Sequence, residues 1–385
     1  MAVPKLRFKE FDGDWSAQKY KDALTIKYGK DHKLLEDGEI PVYGTGGVMR
    51  YVNQYLYDGE SILIGRKGTI DQPKYVNEKF WTVDTLFYSE IKQNIYPLFI
   101  YQHALQVNWL GLNEATGVPS LNTTSINNVD IYLPSKEEQT KIASFLSNVD
   151  EKISQLTQKH ELLSQYKQGM MQKLFSQRLR FKADDGSEFG EWKFIKLNQL
   201  GKSYNGLTGK TKDDFGNGDA YVTYKQIFDN RKINLQKIDK VNIQPHETQN
   251  RVIKGDLFFT TSSEIPEEVA YCSAILDDFD YPLYLNSFCF GFRPNNQNQL
   301  NSNYASFFFR SNQFRNTILH LAQGSTRFNI SKTAFMDMKI ALPRVEEQTK
   351  IANFLSAIDQ KIEVVAQQIE QAKQWKKGLL QQMFV

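Results

Sequence analysis

Apolar residues recur every seven positions through two stretches of this chain, with a second apolar set four residues behind the first. That is the period of a helix packed along one seam. In residues 134–176 the leading set is Ile142, Val149, Leu156, Leu163 and Met170, and the second begins Leu146, Ile153. In residues 343–385 the sets are Ile351, Ile358, Val365, Ala372, Leu379 and Leu355, Ile362, Ile369, Met383. Each stretch predicts one long helix. Two such stripes bury each other by pairing, so the expected seam sets Ile142, Leu146, Val149, Ile153, Leu156 and Leu163 against Ile351, Leu355, Ile358, Ile362, Val365 and Ile369. His160, Lys167 and Lys376 interrupt the second set. The histidine is expected as a tolerated seam or edge residue, and the lysines are expected to snorkel to solvent.

The two helices are copies. Residues 133–176 and 342–385 align without a gap at an offset of 209, with about half of the pairs identical. Glu137-Glu138-Gln139-Thr140-Lys141-Ile142-Ala143 returns as Glu346-Glu347-Gln348-Thr349-Lys350-Ile351-Ala352. Pro134 and Pro343 stop a preceding strand, and the glutamates suit the positive end of a helix. Ser135 and Glu138 have capping-box spacing. Gly169 and Gly378 match near the helix ends, where glycine costs up to ~1 kcal/mol relative to alanine. A close helix crossing or the approach of a partner would account for them, and fraying is the plainer alternative. The duplication includes the lead-in: Arg7-Phe8-Lys9 to Trp15 resembles Arg180-Phe181-Lys182 to Trp192. The expected organisation is a globular unit at 1–133, a helix at 134–176, a second unit at 177–342 and a second helix at 343–385.

Each globular unit alternates short strands with polar turns. Ile40 to Tyr43 predicts a strand entering the turn Gly44-Thr45-Gly46-Gly47. Ser61 to Ile70 predicts a strand, a glycine-flanked Arg66-Lys67 turn and a return strand. The turn is either a solvated tip or a pair of cations reaching phosphates or a guanine edge. Pro97 to Leu110 predicts an amphipathic helix leading to Ala115–Asn122. In the second unit Gly255-Asp256-Leu257-Phe258-Phe259 matches Gly59-Glu60-Ser61-Ile62-Leu63, but the tip that follows is Thr260-Thr261-Ser262-Ser263. Ala322 to Asn329 mirrors Ala115 to Asn122. The frame is kept and the tips differ, which is what a reader of two different ligands, or of two different DNA sequences, would need.

Charge narrows the picture. The net charge is +3 overall, −2 over residues 1–133 and +3 over 177–342, so if the chain binds nucleic acid, local patches must do it. Cys272 and Cys289 lie far apart and the five histidines are scattered, which supports neither a zinc site, nor a disulfide framework, nor a catalytic base beside a nucleophile. The stretch Asn205 to Thr211 ends like a phosphate-binding loop, but Tyr204 stands where its first glycine belongs. No run approaches the roughly 18 apolar residues of a membrane span, and a cytoplasmic protein without membrane contact is expected.

Together these features resemble the specificity subunits of type I restriction-modification systems. The resemblance rests on the two Glu-Glu-Gln-Thr-Lys-Ile-Ala helix starts and on the endings Lys167 to Phe175 and Lys376 to Phe384. Gly255 to Thr260 and Gly324 to Ser331 also carry it. It implies an α+β fold: two mixed α/β target-recognition domains in pseudo-two-fold arrangement, separated by two long antiparallel coiled-coil helices. It implies a non-catalytic subunit that reads a bipartite double-stranded DNA target. Two modification (methyltransferase) subunits and the restriction subunits would supply catalysis and hold S-adenosylmethionine, ATP and Mg; no cofactor is expected on this chain. Candidate DNA-binding residues are Tyr43, Thr45, Arg66, Lys67, Ser120 and Asn122 in the first unit. In the second they are Tyr224, Lys225, Gln226, Thr260, Thr261, Ser262, Ser263, Thr326, Arg327 and Asn329. The rival reading is a helical scaffold that organises other proteins without reading DNA.

Overall fold

The computed structural model describes residues 3–385. Its contacts divide the chain into two compact units, one built from residues up to Lys159 together with Val365–Val385, the other from His160–Val364. Each long helix, Lys136–Phe175 and Val345–Met383, therefore contributes one segment to each unit.

Inside the first unit, Ile142, Leu146 and Val149 share a core with Leu379, Met383 and Phe384. Inside the second, Met170, Leu174 and Phe175 share a core with Ile351, Leu355 and Ile358. The start of one helix lies with the end of the other in both cases, so the segments run antiparallel within each unit. Ile142, Leu146, Val149, Leu156, Ile351, Leu355, Ile358 and Val365 are buried, while Ile153, Leu163, Ile362 and Ile369 are half-buried. The two seam lysines do not snorkel. Lys376 reaches Asp150 at 2.7 Å and Lys167 reaches Asp359 at 2.5 Å, because each faces an aspartate on the opposing helix. Nor do the glycines mark a close crossing: a Cβ on Gly169 would meet nothing within 4 Å, and one on Gly378 only the tip of Gln382 at 4.0 Å.

The first unit carries a six-stranded sheet in the order Leu24–Tyr28, Leu86–Ile91, Tyr57–Gly65, Lys74–Thr82, Asp37–Gly44, Gly47–Val52. The return strand expected at Thr69 and Ile70 is absent. The chain turns inward to bury Ile70 and pairs again only from Lys74. The helix after Pro97 ends at Ala104, not at 110, where the indole of Trp109 donates to the Ala104 carbonyl. The second unit carries a four-stranded sheet, Gly201–Asn205, Cys289–Pro294, Leu257–Thr260 and Cys272–Ala274. Phe259, Phe290, Phe309 and Phe335 pack together beneath it.

One polar assembly recurs in both units. Glu138, at the start of the first long helix, accepts two hydrogen bonds from the Arg7 guanidinium at 2.7 and 2.8 Å and one from the Trp15 indole at 3.4 Å. Glu347 accepts the same set from Arg180 at 2.9 and 2.7 Å and from Trp192 at 3.2 Å. The remaining Nη2 capacity of each arginine goes to the carbonyl of Gly13 or Gly190. Only half of the expected capping box forms, since Ser135 accepts from the Glu138 amide but the Glu138 carboxylate turns to Arg7 instead of back to the cap. Beside it, Gln139 accepts from the Tyr96 amide and donates to Pro134, and Gln348 does the same with Asn301 and Pro343. A charge buried this completely is tolerable only with its partners in place. Glu347→Ala is accordingly expected to destabilise the second unit by about 3–5 kcal/mol, measured as a fall in the urea midpoint.

Candidate nucleic-acid interface

In the first unit, the strand Tyr57–Gly65 delivers its last residues to a meeting point of three loops. The amides of Arg66 and Lys67 donate to Thr85, the Gly68 amide to Pro119 and the Leu121 amide to Arg66. Lys67 and Ser120 are bridge partners. Gly68 has φ +89°, a conformation few other residues adopt, and a Cβ added there would lie 4.0 Å from the Thr45 hydroxyl. Thr45, Arg66, Lys67 and Ser120 thus come together although up to 75 positions separate them in the chain. Lys67 is exposed. Arg66 is half-buried, donates to the Asp84 carbonyl at 3.0 Å and lies 5.4 Å over the Tyr28 ring.

Two candidates of this unit have prior structural work. Asn122 caps the helix Thr123–Asn127 by accepting from the Ser125 amide, and its amide donates to Glu114. Tyr43 donates to Glu78, and burial together with that carboxylate pushes its hydroxyl up to about 12. A cavity of about 600 Å³ adjoins Thr45 and is lined by Asp31, His32, Lys33, Asp84 and Thr85, none of which the sequence singled out. The run Asp31-His32-Lys33 between two strands was the available signal.

In the second unit, Ser262–Ser263 pairs antiparallel with Phe328–Ile330, which pairs in turn with Ala322–Gln323. This places Thr326 and Arg327 on an exposed loop and exposed Asn329 on the strand that follows, beside half-buried Thr261. Tyr224 opens the helix Tyr224–Asp229 and joins the group by donating to the Ser262 carbonyl at 2.8 Å. Lys225 is exposed and pairs with Asp229. Four expectations are corrected here. Gln226 is buried, donating to Asn234 and accepting from its amide. Thr260, Ser262 and Ser263 are buried as well, because the presumed tip is covered by the Phe328–Ile330 strand. The Thr260 hydroxyl accepts from Tyr271 and donates to Glu268, and that of Ser263 donates to the Glu268 carboxylate.

Other groups with chemical potential are occupied. Lys210, in the phosphate-loop-like stretch, pairs with Glu247 at 2.5 Å and is nearly fully buried. His103 lies against the Tyr20 hydroxyl, and burial pulls its imidazole down to about 4. Cys272 and Cys289 are unpaired and buried, which pushes their thiols up. Among the described residues no cluster of histidine, cysteine or carboxylate side chains is set to hold a metal, and no helix is long and apolar enough to cross a membrane.

The type I restriction modification DNA specificity domain family matches residues 13–165 and again 190–374. The type I restriction enzyme MjaVIII specificity subunit of Methanocaldococcus jannaschii is 25% identical, over 97% of this chain and 94% of its own. The putative MjaX specificity subunit of the same organism is 27% identical over 74% of this chain and 66% of its own. The fold is similar to that of the crystallised S subunit from M. genitalium, with a TM-score of 0.60 at 14% identity covering 100% and 99% of the two chains. A chain from a structural study of type I system assembly and conformational transition gives a TM-score of 0.57 at 13% identity, covering 96% and 97%. With the family's domain present twice over most of its length, the chain belongs to the specificity subunits of type I restriction-modification systems and serves in DNA target recognition.

Proposed function

We propose that each unit reads one half of a split double-stranded DNA target, and that the helix pair sets the unread gap between the halves. The observation that carries this reading is one frame with two sets of outward groups. Arg7–Glu138–Trp15 and Arg180–Glu347–Trp192 repeat with the same donors on each carboxylate, the tryptophan choosing the other oxygen in the second. The outward segments nevertheless present exposed Lys67 with half-buried Thr45 and Ser120 in one unit, and exposed Lys225, Thr326, Arg327 and Asn329 in the other. Two similar scaffolds with different donors and acceptors suit two different base sequences, while Lys67 and Lys225 suit phosphates. A helix of 40 residues is roughly 60 Å long at ~1.5 Å per residue, longer than the ~34 Å of one DNA turn.

Methylation of adenine with S-adenosylmethionine, and ATP- and Mg-dependent cleavage, belong in this reading to partner subunits. Two copies of a modification subunit suit the duplicated helices. Tyr166 and Trp375 occupy equivalent positions at the 209-residue offset, and each is more than half exposed. Each precedes by one helical turn a glycine with open space beside it, Gly169 or Gly378. An exposed aromatic next to such a notch suits close packing by a partner's helix.

Replacing residues 1–133 by the corresponding unit of another specificity subunit is expected to change one half of the target in a map of methylated adenines; change in both halves would refute modular reading. Lys67→Ala and Arg327→Ala are each expected to weaken DNA binding by the assembled complex. A phosphate contact shows as a loss across all sequences with a salt slope shallower by about 1, a base contact as relaxed specificity at one position. Gly169→Phe and Gly378→Phe are expected to leave the melting temperature within a few degrees of the parent and to weaken co-purification of the modification subunit; undiminished assembly would move the dock elsewhere.

A further inference from the structure

Arg310 and Arg315 are two guanidinium groups with no carboxylate at ion-pair distance among the described residues. Arg310 stands between the helices Ser302–Phe308 and Asn312–Leu319, and Arg315 lies within the latter. Their partners are backbone carbonyls. Arg310 donates to Ile227, Phe228 and Asn230 at the end of the helix Tyr224–Asp229, and to Cys272. Arg315 donates to Glu267, Val269 and Ala270. The Tyr271 ring lies between the two, 5.0 Å from one guanidinium and 4.9 Å from the other, and packs 5.0 Å from Phe228.

These carbonyls belong to the segments that carry the outward groups. The first set closes the short helix that holds Tyr224 and Lys225. The second set lies in the loop after Ser262–Ser263, the strand that supports Phe328–Ile330 and so the Arg327 loop. Ala270, near the end of that loop, is buried at φ +57°, a conformation that costs a non-glycine residue ~1 kcal/mol or more and persists only when its surroundings enforce it. Both arginines are half-buried, and cations answered by carbonyl dipoles and one aromatic ring, with no carboxylate, are a costly way to fill space, where apolar side chains of similar volume serve as well or better. A planar fork that grips several carbonyls at once fixes backbone position, which a lysine or an apolar residue does not.

We infer that Arg310, Arg315 and the intervening Tyr271 are specificity-determining positioning residues, a clamp that holds both recognition segments of the second unit in register. The clamp touches no DNA itself. It rests on the reading of this unit as one half-site reader, and it goes further in naming what keeps that reader's contacts in place. Discrimination between bases demands placement within about 0.5 Å, and the clamp supplies that constraint from behind the contact surface.

The test uses the full chain assembled with its modification subunits, a plasmid library of randomised sequence and a map of methylated adenines. Arg315→Lys keeps the charge and gives up the three-carbonyl grip. It is expected to reduce discrimination against single-base changes at least tenfold in the half-site assigned to the second unit, and to leave the other half unchanged. Ala270→Gly removes the need for an enforced backbone without disturbing either arginine, and is expected to relax the same half to a smaller extent. Should Arg315→Lys fail to assemble, Ala270→Gly decides. Full discrimination in an assembled variant overturns the clamp, as does equal loss in both halves. A parent complex whose target does not split into two halves overturns the half-site reading instead.

Discussion

A carboxylate buried at the start of each long helix is the interaction on which the rest of the structure depends. Glu138 is 2% exposed and Glu347 fully buried, and neither is stable in such a place without its arginine and tryptophan. The requirement acts over great sequence distance. Arg7 and Glu138 are 131 positions apart, Arg180 and Glu347 167. The lead-in arm must therefore return to the helix start after the whole globular unit has been traversed. The two-point contact with a planar guanidinium also fixes the angle of approach. Gln139 and Gln348, one residue on, fasten Tyr96 and Asn301, so the short helix that follows each is set against the long one.

With the frame held in this way, the outward loops are free to differ. The strand that ends in Gly65 opens onto Arg66 and Lys67, whereas its counterpart ending in Thr260 runs on under the Phe328–Ile330 strand. The same ladder thus exposes cations in one unit and covers hydroxyls in the other. Exposure in the second unit passes to the loop at Thr326 and Arg327 and to Asn329 on the strand after it.

The charge count of the second unit is similarly redistributed. Of its arginines, Arg180, Arg231 and Arg293 answer buried or half-buried carboxylates, and Arg310 and Arg315 hold backbone carbonyls. Those cations are structural. The net +3 of residues 177–342 therefore overstates the charge free to meet a phosphate, and the outward cations of the proposed recognition segments reduce to a few, Lys225 and Arg327 among them. A surface with few cations binds DNA weakly through phosphates alone, which places more weight on hydrogen-bonding groups and on bound partner subunits.

The sequence by itself determined the duplication, the two long helices with their seams, the strand before each and the family. All of these are local or periodic patterns, and a seven-residue apolar repeat over forty residues has few other solutions. It also placed Thr45, Arg66, Lys67 and Arg327 on loops, because glycine and polar residues punctuate the chain there. What only the tertiary structure decided is the fate of individual polar side chains. Gln226, Thr260, Ser262 and Ser263 look like surface residues and are buried, because Asn234, Glu268 and the Phe328–Ile330 strand satisfy or cover them. Lys167 and Lys376 look like seam defects and are ion-paired, because an aspartate faces each from the other helix. A hydroxyl, amide or ammonium group has the same local signature whether it meets water or a partner. Which of the two it meets depends on contacts between residues far apart in the chain, and these exist only once the fold has closed.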